Sequence, residues 1–266
     1  LVSFPTLNEQ LWLVVAMTMD IYLAGFDPAV GFALLGASFV SSFITVALGI
    51  GGGALLRAVM AALLPPAALI PVHGVIQLGS NSLRATLLIR STHWPPFAAF
   101  ALGSGIGAGL GGSLVVNLPP GVVLIGVGGF VIWSVLRRPP EWLSRLPLLT
   151  GLISTFLTMF FGATGLFVAN FSKSLELPRE AHVATHAVMM TLQHGLKIAA
   201  FGLLGFSYGP WLGFIALMIG AGFLGTLMGR QVLIRMSDRG FKRALDVVLI
   251  LISLRLIWQG LSDLWS

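Results

Sequence analysis

Long apolar segments are the feature that most limits how this chain can fold. Runs such as Val122 to Leu136 and Val247 to Leu254 contain no charged residue. Of the 266 residues, 56% are hydrophobic and only 9% are charged, whereas about 25% of the residues in a soluble domain are charged. A helix that crosses a bilayer needs about 20 mostly apolar residues. The many runs of this kind predict an all-α polytopic membrane protein and exclude a single-pass anchor or a cleaved signal peptide.

Glycine, proline and cysteine content fits that environment. The chain has 33 glycines, 14 prolines and no cysteine. In a membrane, glycine lets helices approach closely, and broken helices are tolerated where they line a cavity. The lack of cysteine excludes disulfides, thiolate metal ligands and cysteine nucleophiles. We expect no metal and no cofactor.

The chain repeats itself at an offset of 113 residues. Pro65 then falls on Pro178, and His73 falls on His186. The same offset places Ser41, Phe43, Thr45, Gly49, Gly52, Gly107, Gly109 and Gly112 on Ser154, Phe156, Thr158, Gly162, Gly165, Gly220, Gly222 and Gly225. Such self-similarity indicates two copies of one structural unit. We predict one repeat over residues 30–136, a linker at 137–146 and a second repeat over 147–266, preceded by an extra N-terminal helix within residues 1–29.

Each repeat contains four hydrophobic segments. They cover residues 34–64, 68–89, 97–117 and 120–136 in the first repeat, and 147–172, 181–206, 210–229 and 244–260 in the second. Glycines interrupt the first segment of each repeat, at Gly49-Ile50-Gly51-Gly52-Gly53 and at Gly162-Ala163-Thr164-Gly165. These breaks predict discontinuous helices.

The basic residues predict the topology, because loops rich in Lys and Arg stay in the cytoplasm. Two strong basic clusters, at 137–145 and 230–243, are separated by three hydrophobic segments. If all three crossed, the clusters would lie on opposite faces of the membrane. We therefore predict that the broken segments are re-entrant hairpins, so that each repeat crosses three times and the two repeats are inverted. The alternative is that the broken segments cross fully, which places one basic cluster outside.

Polar and basic side chains follow each glycine break. His73, Gln77, Asn81 and Arg84 share one helix face, and His186, Gln193, His194 and Lys197 do the same in the second repeat. The breaks would aim the N–H groups of half-helices toward these faces, which suits an anion. The predicted substrate-binding set also includes Gly51, Gly52, Gly53, Arg57, Thr164, Gly165 and Asn170.

None of the nine acidic residues lies deep inside a repeat segment. Cation pathways usually place carboxylates at membrane depth, so the substrate is predicted to be an anion, with no nucleic-acid partner. Histidine is then the candidate for coupling to protons. Two other interpretations stay open: the histidines can be interhelical hydrogen-bonding groups, and Arg84 and Lys197 can reach the cytoplasmic surface.

On these residues the chain resembles the sulfite exporter TauE/SafE family of membrane transporters. The resemblance covers about residues 33–260 and depends on the first glycine run, the stretch from His73 to Arg84, and Gly105-Ile106-Gly107-Ala108-Gly109. It implies transport of sulfur oxyanions or small organosulfonates, such as sulfite or sulfoacetate, across a bacterial inner membrane. One departure concerns a proline that the family usually places about five residues after the glycine run. Ala58 stands there instead, preceded by Arg57, which indicates a subfamily with its own substrate.

Three kinds of function remain open at this level. A secondary transporter would work by alternating access of one repeat against the other. A passive anion channel or facilitator, or a transporter of small organic carboxylates, fits the same features. An intramembrane enzyme would need a nucleophile such as Ser104 beside a base, and no histidine is evidently paired with it, so we expect no enzymatic activity.

Overall fold

A computed structural model describes residues 23–48, 52–115, 118–137, 142–162, 165–232 and 238–265, and the structural statements below concern these residues. Within them the chain forms helices and turns, with no strand. Most of the predicted N-terminal helix, the predicted site residues Gly51 and Thr164, and part of the linker at 137–146 lie outside the described residues.

The described residues form ten α-helices and three short 3₁₀ turns. The helices are α1 (Pro28–Leu48), α2 (Gly52–Leu63), α3 (Pro66–Leu87), α4 (Phe97–Val115), α5 (Pro120–Leu136), α6 (Pro147–Phe161), α7 (Gly165–Ser174), α8 (Arg179–Leu203), α9 (Leu212–Val232) and α10 (Asp238–Trp265). The turns are Ile89–Ser91, Leu143–Arg145 and Gly209–Trp211. The all-helical class is therefore confirmed, and the same order of five helices occurs twice.

Two helices begin six residues before the predicted segments: α1 begins at Pro28 rather than at residue 34, and α10 begins at Asp238 rather than at residue 244. The Asp27 carboxylate accepts a hydrogen bond of 2.8 Å from the Ala29 N–H, which satisfies one of the free donors of the first helical turn. Proline is also favourable as the first residue of a helix. A helix cap is not visible in the hydrophobic pattern, so the predicted segment begins six residues after α1 itself.

Helices α1 and α2, which flank the first glycine break, pack against each other. A straight helix would place Gly52 about 16 Å from Ser41, but an added Cβ on Gly52 would overlap the Ser41 carbonyl oxygen. Helix α2 therefore folds back against α1. In the second repeat α6 ends at Phe161 and is followed by Gly162, whose φ of 68° is left-handed, and α7 begins at Gly165.

The helices of the two repeats pair reciprocally. Helix α4 of the first repeat packs most extensively on α6 of the second, and α9 of the second packs on α1 of the first. The equivalent helices α5 and α10 pack together, as do α3 and α8. This is the pattern that an internal two-fold relation between the repeats predicts.

Glycines make the α4–α6 contact unusually close. An added Cβ on Gly103 would overlap the Leu148 carbonyl oxygen, and one on Gly107 would overlap the Leu152 carbonyl oxygen. The glycines of α4 therefore act in helix packing, since small residues let two backbones approach. This contact brings α6 and its terminal Gly162 beside the first repeat.

Three described helices are long and apolar enough to cross a membrane, and they cover Pro28–Thr45, Phe97–Val115 and Gly209–Gly229. Three apolar helices are shorter, Gly52–Leu63, Pro120–Trp133 and Pro147–Phe161. Helices α6 and α7, with 15 and 10 residues, are each too short for a bilayer core of about 30 Å. Helix α1, with 21 residues, is long enough to span, whereas its partner α2 is not.

Candidate functional site

Four basic side chains meet where the two repeats touch. Arg57 comes from α2, His73 from α3, and His194 and Lys197 from α8. All four are buried, with exposed fractions of at most 1%. We call these four residues the central cluster. Because α3 and α8 belong to different repeats, the cluster exists only when the repeats are packed together.

Arg57 and His73 form the shortest contact of the cluster. Arg57 Nη2 lies 2.7 Å from His73 Nδ1. A guanidinium can only donate hydrogen bonds, so Nδ1 accepts and carries no proton. The neutral imidazole then has its proton on Nε2. His73 thus holds the guanidinium in one orientation.

Gln77 completes this arrangement one helical turn further along α3. Its amide nitrogen lies 3.4 Å from His73 Nε2. Because Nε2 carries the proton, a hydrogen bond between the two side chains requires the amide to turn by about 180°, so that its oxygen accepts. An added Cβ on Gly53 would lie 2.8 Å from the Gln77 amide nitrogen. The start of α2 therefore lies against the same side chains.

Lys197 reaches the cluster from the opposite repeat. Its ammonium donates to the Gly162 carbonyl oxygen at 3.4 Å, and its stem crosses Gly74, where an added Cβ would lie 2.7 Å from Lys197 Cε. The negative end of the α6 dipole offsets part of the charge. Since Lys197 is fully buried, it does not extend to a cytoplasmic surface.

Gly162 is the residue on which both cations converge. Besides accepting from Lys197, it lies so close to the Arg57 guanidinium that an added Cβ would overlap it. Two positive side chains therefore lie at the end of one short helix. Like charges repel strongly where water is excluded.

No described carboxylate balances these charges. The charged and titratable groups that interact with Arg57 and Lys197 are each other and the cluster histidines. Arg57 Nε and Nη1 and His194 Nδ1 are buried and have no hydrogen-bond partner among the described residues. Buried polar groups are usually paired, so these atoms can bind a ligand that accepts hydrogen bonds and carries negative charge.

A second polar group lies around His186. Its Nε2 is 3.4 Å from the Gly165 carbonyl oxygen at the start of α7, and Arg84 is near enough for the two charges to interact. His73 interacts in the same way with Lys197. In both cases a histidine of one repeat lies close to a basic residue of the other repeat. The sequence predicted that Arg84 and Lys197 hold equivalent positions on the polar faces of two different helices. In the structure Lys197 belongs to the central cluster, whereas Arg84, only partly buried, lies by His186.

Three further predicted site residues, Asn81, Asn170 and Gln193, lie on α3, α7 and α8. Asn81 donates to the Gln77 carbonyl oxygen at 2.8 Å within α3, and Asn170 is partly buried on α7. The Gln193 amide donates to the hydroxyls of Ser154 and Thr155 on α6. Gln193 therefore joins α8 to α6, a structural contact that helix periodicity could not reveal.

Replacing Gln193 with leucine is expected to destabilise the protein more than it weakens ligand binding. The change removes two buried hydrogen bonds and leaves two hydroxyls with fewer partners, which costs about 1–3 kcal/mol. The melting temperature of the purified protein in detergent should fall, while the ligand-dependent rise in melting temperature is retained. A normal melting temperature with lost ligand binding would instead place Gln193 in the binding site.

Ser104, the candidate nucleophile, is fully buried, and its hydroxyl has no hydrogen-bond partner among the described residues. It lies in the close packing of α4 on α6, where an added Cβ on Gly151 would be 3.0 Å from Ser104 Oγ. A nucleophile needs a base within reach. The described geometry provides no such pair.

Apolar, glycine-broken helices around a buried basic cluster define an integral membrane protein of the transporter class. The chain belongs to the sulfite exporter TauE/SafE family, whose model matches residues 34–256. The family consists of membrane transporters of sulfur anions, in agreement with the sequence-based expectation of a transporter rather than an enzyme. Neither the curated proteins nor the solved structures that were searched gave a match.

Proposed function

We propose that the protein is a secondary transporter that moves a small sulfur oxyanion or organosulfonate across a bacterial inner membrane, and that the anion binds at the central cluster. The observation that carries this proposal is the convergence of two fully buried cations, Arg57 and Lys197, on Gly162 without a described carboxylate. An unpaired buried charge is costly. A bound anion would offset that cost.

Alternating access is supported by where the cluster lies. Its residues come from both repeats, so a movement of one repeat against the other would separate or rejoin them. All four side chains are closed off from solvent in this structure. A closed site between two moving units favours a transporter over an open anion channel.

Uptake into proteoliposomes separates the transporter from the channel. With an imposed pH gradient and no gradient of sulfite, a coupled transporter should concentrate sulfite inside the vesicles. A channel would only equilibrate the anion with the membrane potential. Equilibration without accumulation under any imposed ion gradient would favour the facilitator.

The inverted topology can be tested with single cysteines, since the natural chain has none. We expect Arg137→Cys and Arg239→Cys to be protected from a membrane-impermeant thiol reagent added outside cells. Ser207→Cys, in the connection between α8 and α9, should be labelled from outside. If residues 137 and 239 reacted from opposite sides, the proposed inversion would be wrong.

The substrate class can be tested by thermal-shift measurements with sulfite, sulfate, thiosulfate, sulfoacetate and small carboxylates. A ligand that binds only the folded protein stabilises it by about 2.7 kcal/mol at 100 times its Kd. We expect the sulfur anions to raise the melting temperature. A response to carboxylates alone would favour an organic-acid transporter.

Proton coupling is a separate proposal, and His186 is its better candidate. His73 accepts a hydrogen bond from Arg57, so it can take a proton only if that bond breaks. A proton on His186 would add positive charge near Arg84 and strengthen anion binding as the pH falls. We expect His186→Gln to flatten the pH profile of transport and His73→Gln to lower affinity at every pH; the reverse result would identify His73 as the proton carrier.

A further inference from the structure

We infer that the central cluster selects a doubly charged anion, and that Arg57 supplies the second positive charge. This inference rests on the proposed function, because it concerns the ligand of the same site. It adds the charge of the ligand and assigns the residue that determines it.

The first argument is the balance of charge. Arg57 and Lys197 are both fully buried, and no described carboxylate interacts with either. With Arg57 and Lys197 both protonated, a singly charged anion would leave one net positive charge in a site without water, which is unfavourable. A dianion would neutralise both.

The second argument is the set of N–H donors that have no described partner. One nitrogen of the guanidinium, Nη2, is held by His73, while Nε and Nη1 have no described partner. Lys197 uses one N–H on Gly162 and has two more. Nη2 gives one of its two N–H groups to His73, so its second N–H can still form a planar pair with Nε or Nη1, the geometry that matches two oxygens of an oxyanion. The Lys197 ammonium, which bonds to the same glycine, can bind a further oxygen. The ligand that suits this set is a compact oxyanion with charge on several oxygens.

The third argument is the comparison of the two repeats within the chain. Arg57 corresponds to Asn170 at the offset of 113 residues. The group around His186 consequently has one described cation, Arg84, where the central cluster has two. The second charge of the central cluster therefore comes from Arg57 alone. Asparagine, which stands at the equivalent position in the second repeat, is the neutral residue to substitute there.

The experiment compares sulfate with methanesulfonate, two tetrahedral anions of similar size with charges of −2 and −1. Binding to the purified full-length protein is measured by calorimetry at pH 8 for wild type, Arg57→Asn and Arg57→Lys. We expect wild type to bind sulfate about tenfold or more tighter than methanesulfonate, since a desolvated charge pair is strong. Arg57→Lys should retain this preference, and Arg57→Asn should reduce it to about parity.

Each outcome has a distinct meaning. Equal binding of the two anions by wild type, or an unchanged preference in Arg57→Asn, would overturn the inference while leaving anion transport intact. If wild type bound neither sulfate nor methanesulfonate nor any sulfur anion, the proposed function itself would fail. Should Arg57→Asn not yield folded protein, Arg57→Gln replaces it, and the wild-type ratio alone still tests the preference for a dianion.

Discussion

Replacing Lys197 with methionine is expected to stabilise the ligand-free protein and, at the same time, to remove most of its anion affinity. Methionine keeps most of the length of the side chain but carries no charge, so it relieves the repulsion from Arg57. Apolar replacements of buried charges are often neutral or stabilising. Loss of a buried charged contact to the ligand costs about 2–5 kcal/mol, or about thirtyfold or more in affinity.

The matched control is Arg84→Met. Arg84 corresponds to Lys197 at the repeat offset but is only partly buried and lies by His186, so its loss should affect affinity less. Calorimetry with sulfate and melting curves without ligand measure the two effects. Wild-type affinity in Lys197→Met, or a larger loss in Arg84→Met, would show that the anion binds elsewhere.

Replacing Gly162 with alanine is expected to damage both folding and transport. Its φ of 68° is left-handed, which costs about 1–2 kcal/mol for a residue with a Cβ. The new methyl group would also overlap the Arg57 guanidinium. The guanidinium must then leave its position beside His73, so transport should be lost even in molecules that remain folded.

Alanine substitutions at two other glycines distinguish the backbone cost from the effect of the contact with Arg57. Gly205 also has a positive φ, of 92°, but an added Cβ there meets nothing within 4 Å, so Gly205→Ala measures the backbone cost alone. Gly105 lies in α4 with open space around it, and its replacement by alanine should be neutral or slightly stabilising. If Gly162→Ala and Gly205→Ala lowered the melting temperature equally and both transported normally, the close contact with Arg57 would have no functional role.

The helices were largely predictable because apolar runs and glycine breaks are local properties of the sequence. All four members of the central cluster were predictable as site residues: His73, His194 and Lys197 from their helix faces, and Arg57 from its place just after the first break. That these side chains meet, with Arg57 donating to His73, depends on how α2, α3 and α8 pack. The helical periodicity of a sequence does not show which side chains of different helices are in contact.

Other features of the site could not be read from the sequence. Gly162 was noted only as part of a break, because its left-handed conformation and its contact with Arg57 appear only in three dimensions. Arg84 and Lys197 were expected to have equivalent surroundings, since the repeat offset aligns them, yet Lys197 belongs to the central cluster and Arg84 lies by His186. Gln193 has the spacing of a site residue, but its amide bonds to hydroxyls on α6.

The position of the bound anion is the most direct test of the central cluster. Selenate replaces sulfate with a heavier atom of similar shape, and its anomalous scattering locates it in crystals of the full-length protein. We predict a selenium peak between the Arg57 guanidinium and the Lys197 ammonium, beside Gly162. A peak only near Arg84 and His186, or only at the protein surface, would contradict the proposal that Arg57 and Lys197 bind the transported anion.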